Sequence, residues 1–286
     1  MKSRWIVNLL LLLAIVILGV VARFEPGIET PTAKPAITSL AQTDVHRIHI
    51  NRPIRDDLVL VRRTSGHWWL ERSTPLPADD FKVRALTRMA EQKPVRSYPA
   101  DDLDLAALQL DPPYATAILN DTAVEFGNLE PIDDLRYVRV GDQIHLIPDS
   151  YLQLMETDFT QFVRNRLLEK GARIAALRLP GFSLTHTDQG WQLNPAQEDI
   201  GTDTLQAFID SWQDASSLNV QAADPDKVGE RVEVRLEGLD RPVIFQIISR
   251  APELVLTRPD YAIQYRMGNR GEAMLTLDAT KADVKD

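Results

Sequence analysis

Apolar residues fall along the chain in three distinct rhythms. The first is continuous: of the 18 residues from Trp5 to Ala22 (WIVNLLLLLAIVILGVVA), only Asn8 is polar. A helix of that length rises about 27 Å, close to the roughly 30 Å hydrocarbon core of a bilayer. A helix packed in a protein core would keep a polar face, and this run has none. Lys2 and Arg4 precede it and only Arg23 follows, so residues 1–4 are expected in the cytoplasm and the rest of the chain outside. Trp5 stands where an interfacial aromatic belongs. A cleaved signal peptide is the rival reading, with Val20 and Ala22 as small residues before a cut, although the run exceeds the usual 7–15-residue apolar region. Both readings carry residues 24–286 across the membrane.

The other two rhythms alternate with each other through the body. Val45 to Ile50, Leu58 to Val61 and Gly66 to Leu70 read as strands, and after Asp79-Asp80 a helical stripe of Val83, Leu86, Met89 and Ala90 follows. The same succession returns as Ile174 to Leu179, Phe182 to His186 and Gly190 to Leu193. A helix again comes next, with Leu205, Phe208, Ile209 and Trp212 spaced i, i+3, i+4, i+7. Asp79 or Asp80 is the expected N-cap of the first helix and Thr202 that of the second. Trp68-x-Leu70 matches Trp191-x-Leu193 in this register, which makes Trp68 and Trp191 expected core residues and leaves Trp69 on the opposite face of its strand.

Each half continues into short apolar runs: Ala115–Leu119, Val124–Phe126, Tyr137–Val140 and Ile144–Ile147, with turn signals at Asn120-Asp121, Gly127-Asn128 and Gly141-Asp142. Their counterparts are Val232, Val234 and Leu236 alternating with Glu233 and Arg235, then Val243–Ile248, Leu254–Leu256 and the alternating Tyr261, Ile263 and Tyr265. Between the halves, Met155, Phe159, Phe162, Val163 and Leu167 suggest a connecting helix over 155–170, ended by Gly171. The expectation is an α+β fold, a duplicated module of antiparallel β-sheet with one covering helix, preceded by a single transmembrane helix. Its divisions are a membrane anchor at 1–23, a Pro-rich linker at 24–43 with Pro26, Pro31 and Pro35, a first repeat at 44–171, a second at 172–277 and a flexible tail at 278–286.

The Trp-x-Leu strand before an acid-capped helix, the Tyr137–Leu146 hairpin, and Phe162-Val-Arg-Asn-Arg-Leu-Leu168 leading into Ile174–Leu179 together resemble the domain of unknown function family 4340. The resemblance spans roughly residues 45–275 and lies in strand and helix patterning rather than in chemistry. It implies a bacterial inner-membrane protein with one N-terminal span, associated with ABC-type transporters of the gliding-motility or auxiliary kind. It supplies no catalytic residues.

Composition narrows the chemistry. The chain has 286 residues, 44% hydrophobic and 26% charged, and no cysteine, which excludes disulfides, thiol catalysis and Cys-based metal sites. Its net charge is −9, and the body is more acidic still once Lys2, Arg4 and Arg23 are set aside, so nucleic acid is excluded as a partner. His46 and His49 stand three apart on an expected strand and point to opposite faces, so they cannot share an ion. His67, His145 and His186 are isolated, and Ser65-Gly66-His67 reads as a turn rather than part of a triad. The pairs Asp56-Asp57, Asp79-Asp80, Asp101-Asp102 and Asp133-Asp134 fall in turns or before helices, where capping accounts for them. No phosphate-binding glycine loop occurs.

The sequence therefore assigns no catalytic, cofactor or metal residues. It points to a non-catalytic, periplasm-facing interaction domain, partnered with the lipid bilayer through residues 5–22 and with a membrane protein complex. Two alternatives remain: a module that binds an envelope polymer or small ligand in a cleft between the repeats, and a hydrolase using an acidic pair.

Overall fold

The computed structural model describes residues 2–24 and 34–277. The expected tail at 278–286 and part of the linker lie outside the described residues. Helix α1 (Lys2–Phe24) is continuous over 23 residues, and the side chains described on it, Trp5, Val7, Leu9 to Leu13 and Ile15 to Leu18 among them, are exposed. Counting described side chains alone, no helix is long and apolar enough to cross a membrane.

The remainder is α+β, with two antiparallel sheets and few helices. The first sheet is built from β1 (Arg47–Asn51), β2 (Leu58–Arg62), β3 (Trp68–Leu70), β4 (Leu76–Pro77), β5 (Arg96–Pro99), β6 (Ala115–Leu119), β7 (Thr122–Leu129), β8 (Leu135–Val140) and β9 (Gln143–Pro148). The second comprises β10 (Ile174–Arg178), β11 (Ser183–Thr187), β12 (Gly190–Asn194), β13 (Asn219–Ala222), β14 (Glu230–Leu236), β15 (Val243–Ser249), β16 (Val255–Arg258) and β17 (Ile263–Arg266). Spatial order in the first is β4-β3-β2-β1-β6-β7-β8-β9-β5; in the second it is β12-β11-β10-β14-β15-β16-β17-β13. Setting β10 against β1 and β14 against β6 makes the two orders identical, except that no described strand of the second matches β4. Both even shift register at the same place, between β7 and β8 and between β15 and β16.

Strand alternation explains which face is buried. Ile48 lies opposite Leu60 and Leu119, and Ile50 opposite Leu58 and Ala117, all at most 1% exposed, while His49 turns outward. Leu177, Leu184 and Val234 form the corresponding rung in the second sheet. Helix α2 (Asp80–Thr87) buries Val83 and Leu86, and its N-cap is Asp79, whose carboxylate accepts from the N–H groups of Phe81 and Lys82. Helix α4 (Thr202–Gln213) buries Leu205, Phe208, Ile209 and Trp212, the stripe its spacing announces. Thr202 is not its cap. Gly201 holds that position in extended backbone and Thr202 is the first helical residue, so no side chain caps α4.

The connecting helix expected over 155–170 does not form. One helical turn, α3 (Leu152–Met155), and a 3-10 turn at Phe159–Phe162 precede an extended strap over 162–168. On one side the Arg164 N–H donates to Pro77 O (2.9 Å) and the Asp79 N–H to Phe162 O (2.7 Å). On the other, the Leu167 N–H donates to Ala215 O (3.1 Å) and the Ser217 N–H to Asn165 O (2.8 Å). Phe162, Val163, Leu167 and Leu168 are buried. Main-chain partners on both flanks outweigh a helical apolar spacing that an extended segment also satisfies. Gly171, at φ +80°, then turns the chain into β10.

The linker is shorter than its prolines suggest. The Ile37 side chain is buried, its N–H donates to Gln92 O (2.8 Å), and the Thr38 hydroxyl donates to Ala90 O (2.7 Å), so the chain is already docked there. Gly127-Asn128 is likewise no turn. It lies inside β7 at the register shift, where a Cβ on residue 127 would strike the Leu108 carbonyl and the Leu110 side chain. The segment around 100–114 covers the outer face of the first sheet at that point, and Leu110, Leu135, Ile144 and Leu146 are buried there, apart from the main core. The main core itself runs unbroken through both halves.

Candidate functional site

The sequence-highlighted groups are dispersed into local contacts. His46 Nδ1 sits 3.2 Å from Asp44 O, whereas His49 Nε2 lies 2.7 Å from Asp57 Oδ2. That hydrogen bond from His49 is the main reason the Asp57 carboxyl is held below its usual value. The Asp56 carbonyl receives Arg52, a buried guanidinium that also donates to Thr157 O (2.8 Å), tying the β1–β2 loop to the segment after α3. Asp101 and Asp102 are exposed in a single 3-10 turn. Asp133 and Glu130 share Arg96, at 2.9 and 3.0 Å, and Asp134 occupies a left-handed turn position at φ +53°. The acid pairs thus serve separate caps, turns and ion pairs. Among the described residues no group of three His, Asp or Glu side chains could hold a metal ion.

Asp79-Asp80 divides its labour. Asp79 caps α2, while Asp80 accepts from the Trp68 N–H (2.9 Å) and lies 2.7 Å from His67 Nδ1. Burial opposes ionisation of Asp80, but these two bonds and the imidazole charge outweigh it and hold the carboxyl below its usual value. His67 and Asp80 line a hollow of about 440 Å³ with Gln42, Arg62, Ser65 and Arg84. A carboxylate steadying an imidazole through Nδ1 is the orienting half of a hydrolytic triad. Ser65 shares the hollow, but among the described residues no hydrogen bond joins it to His67. The sequence placed Ser65 and His67 in one turn but could not show the approach of Asp80, which depends on how α2 meets the end of β3.

His145 sits buried within β9, between β8 and β5, with Nδ1 2.8 Å from Ser97 Oγ, and desolvation lowers its pKa. Two further hollows lie in the second half. One of about 800 Å³ is bordered by Ala215, Leu218, Met267 and Met274, with Glu253 at its rim; one of about 280 Å³ lies among Arg178, Glu233 and Arg235 on the outer face of the sheet. Each of the three described hollows belongs to one half rather than to a cleft between them.

The tryptophans differ more than their matched positions suggest. Trp68 is 6% exposed, and Trp69 lies under the Arg63 guanidinium at 3.9 Å from its ring centroid. Trp191 is only half-buried: its ring packs edge-on to His186 and its Nε1–H donates to Gln206 (2.9 Å). The core assignment therefore holds for Trp68 and fails for Trp191. The physical reason is that β3 is flanked by β4, whereas β12 ends its sheet.

No curated protein and no solved structure matches the chain. A family profile does, over residues 68–232, more than half of the sequence and reaching from β3 of the first sheet into β14 of the second. The chain belongs to the family described as Domain of unknown function (DUF4340).

Proposed function

We propose that the protein is a membrane-anchored, outward-facing interaction domain, an accessory of a transporter-like envelope complex, and that it catalyses nothing. The observation that carries the reading is α1: 23 helical residues, uncharged from Trp5 to Ala22, with their described apolar side chains exposed and the positive charge gathered at the start. Water is a poor solvent for such a surface, and a bilayer is a good one. The body supports the same reading, since its acid pairs and histidines are spent on caps, turns and strand contacts. A tether confines that body to a thin layer above the membrane and raises its effective concentration near other membrane proteins.

Fusions at Asp286 test the topology. A reporter active only in the cytoplasm should be silent and one active only outside should be bright; the reverse overturns the reading. Complementation with an exported body lacking residues 1–24 tests the anchor, and full rescue would count against it.

A second reading rests on the His67–Asp80 pair and its hollow, a site for a small polar ligand or for hydrolysis. Asp80→Asn and Ser65→Ala in the full chain separate the two: loss of function with unchanged fold and abundance in either would favour the hollow over the interaction surface.

A further inference from the structure

We infer that the free edge of β12 is the docking site for an extended strand of a partner protein, apolar at alternate positions and flanked by basic residues. The inference rests on the interaction-domain reading above and specifies its partner.

The first half shows what a filled edge looks like. There the Trp68 C=O accepts from the Ala78 N–H (2.9 Å), Leu70 lies opposite Leu76, and Trp69 opposite Pro77. With that segment in place Leu70, Leu76 and Ala78 are fully buried and Trp68 nearly so. Pro77, which lacks an N–H, occupies the one position of the three that faces away from β3, its carbonyl taking Arg164 instead.

Among the described residues the second half has the same strands up to this point and no further one beyond β12. Gly190 stands opposite Thr187 across the two-residue Asp188-Gln189 turn, so the Thr187–Gly190, Thr185–Gln192 and Ser183–Asn194 pairs are the hydrogen-bonded ones. The N–H and C=O groups of Trp191 and Leu193 therefore point away from β11. Residues 195–201, which lead into α4, supply them no partner among the described residues. The side chains of Trp191 and Leu193 are half-exposed where Trp68 and Leu70 are covered. Open backbone ladder and a partly exposed apolar rim coincide on the same two residues. The missing cover is thus the equivalent of Leu76-Pro77-Ala78, supplied from outside by strand addition.

Charge selects its flanks. Asp188 lies before β12 and Glu198 and Asp199 after it, all exposed. A second copy of β12 paired antiparallel would bring Asp188 of one chain towards Glu198 and Asp199 of the other, which disfavours self-pairing and favours a partner with lysine or arginine at both ends.

The test uses the full chain in lipid nanodiscs and a synthetic peptide, Lys-Ser-Thr-Pro-Leu-Pro-Ala-Lys, which carries the β4 sequence between lysines. Hydrogen exchange at the Trp191 and Leu193 amides should slow roughly tenfold or more with peptide, and Trp191 fluorescence should shift to the blue. The same peptide N-methylated at its Leu and Ala amides should protect neither, and a version with glutamates in place of lysines should bind about tenfold more weakly. Leu193→Pro, which removes one outward N–H at a sheet edge, should abolish protection while a thermal melt reports whether the fold persists. Equal protection by the N-methylated peptide, no protection at millimolar peptide, or protection already present and dependent on protein concentration (a second copy on the edge) would each overturn the proposal. The reporter fusions stay informative in every case, so failure here is distinguishable from failure of the anchored reading.

Discussion

The two sheets repeat one strand order, and they part company at their edges. In the first half, β4 seals β3 and is itself held by the strap; in the second, β12 ends the sheet with Trp191 and Leu193 half-covered. The helices differ in the same sense. Helix α2 has eight residues and an aspartate cap, whereas α4 has 12 and none, so α4 depends on its buried stripe for stability. One half is finished by its own chain. The other leaves its edge strand without a neighbour among the described residues.

The sharpest way to break that comparison is to truncate aromatic residues in turn. Trp212 is fully buried and donates to Met274 O, so Trp212→Ala should cost about 4 kcal/mol, and Trp68→Ala about 3 kcal/mol. Trp191→Ala should cost less, about 2 kcal/mol, because its side chain is only partly buried against the core. Thermal and denaturant melts of the three variants decide it, and equal losses at Trp68 and Trp191 would restore the equivalence of the halves.

A somewhat smaller effect probes the outer part of the first sheet. Arg136 is buried, pairs both oxygens of Asp149 (2.5 and 2.9 Å) and donates to Gly127 O across the bulge. Arg136→Ala strands these acceptors and should destabilise by about 3 kcal/mol, whereas Arg231→Ala, whose arginine is exposed beside Glu233, should change stability by less than about 1 kcal/mol. Chemical denaturation reads both. The caps come next: Asp79→Ala should cost about 1 kcal/mol and Thr202→Ala almost nothing, since only Asp79 accepts from the first turn.

The smallest effect is a pH dependence. His145 has a folded pKa below the 6.5 of the free side chain because burial disfavours its charge, so the unfolded chain binds its proton first. Stability should therefore fall as pH drops below about 6.5, and His145→Gln should flatten that part of the profile. Asp57 and Asp80, both held below 3.8, add stability that is present above that value and lost as pH falls through their lower folded values. Melting temperature against pH, measured for wild type, His145→Gln and Asp80→Asn, separates the two windows.

Much of the body was legible because short periods leave few alternatives. Val232, Val234 and Leu236 can bury one face only as a strand, and Leu205, Phe208, Ile209 and Trp212 only as a helix. Asn120 and Gly141 mark their turns because both adopt positive φ. The strap was illegible for the opposite reason: Phe162, Val163 and Leu167 fit both a helical stripe and an extended segment, and contacts at Pro77 and Ala215 decide between them. Those contacts span about 50 to 90 positions of sequence, beyond the reach of any local pattern. The difference between Trp68 and Trp191, and the meeting of His67 with Asp80, depend likewise on which neighbour arrives, not on the residue itself.

The strap also sets an order of assembly. Every strand of the first sheet is contained in residues 47–148 and every strand of the second in 174–266, so each sheet can form from its own stretch of chain. A chain made from its N-terminus can lay residues 162–168 against β4 while the second sheet is still unmade, because one flank of the strap is already there. The other flank, Ala215 to Ser217, arrives about fifty residues later and finds a preformed edge waiting. The first half thereby serves as the template on which the second is registered. A lesion in the strap should accordingly appear as two halves that each fold but misdock, a fault of pairing that leaves the content of sheet and helix nearly intact.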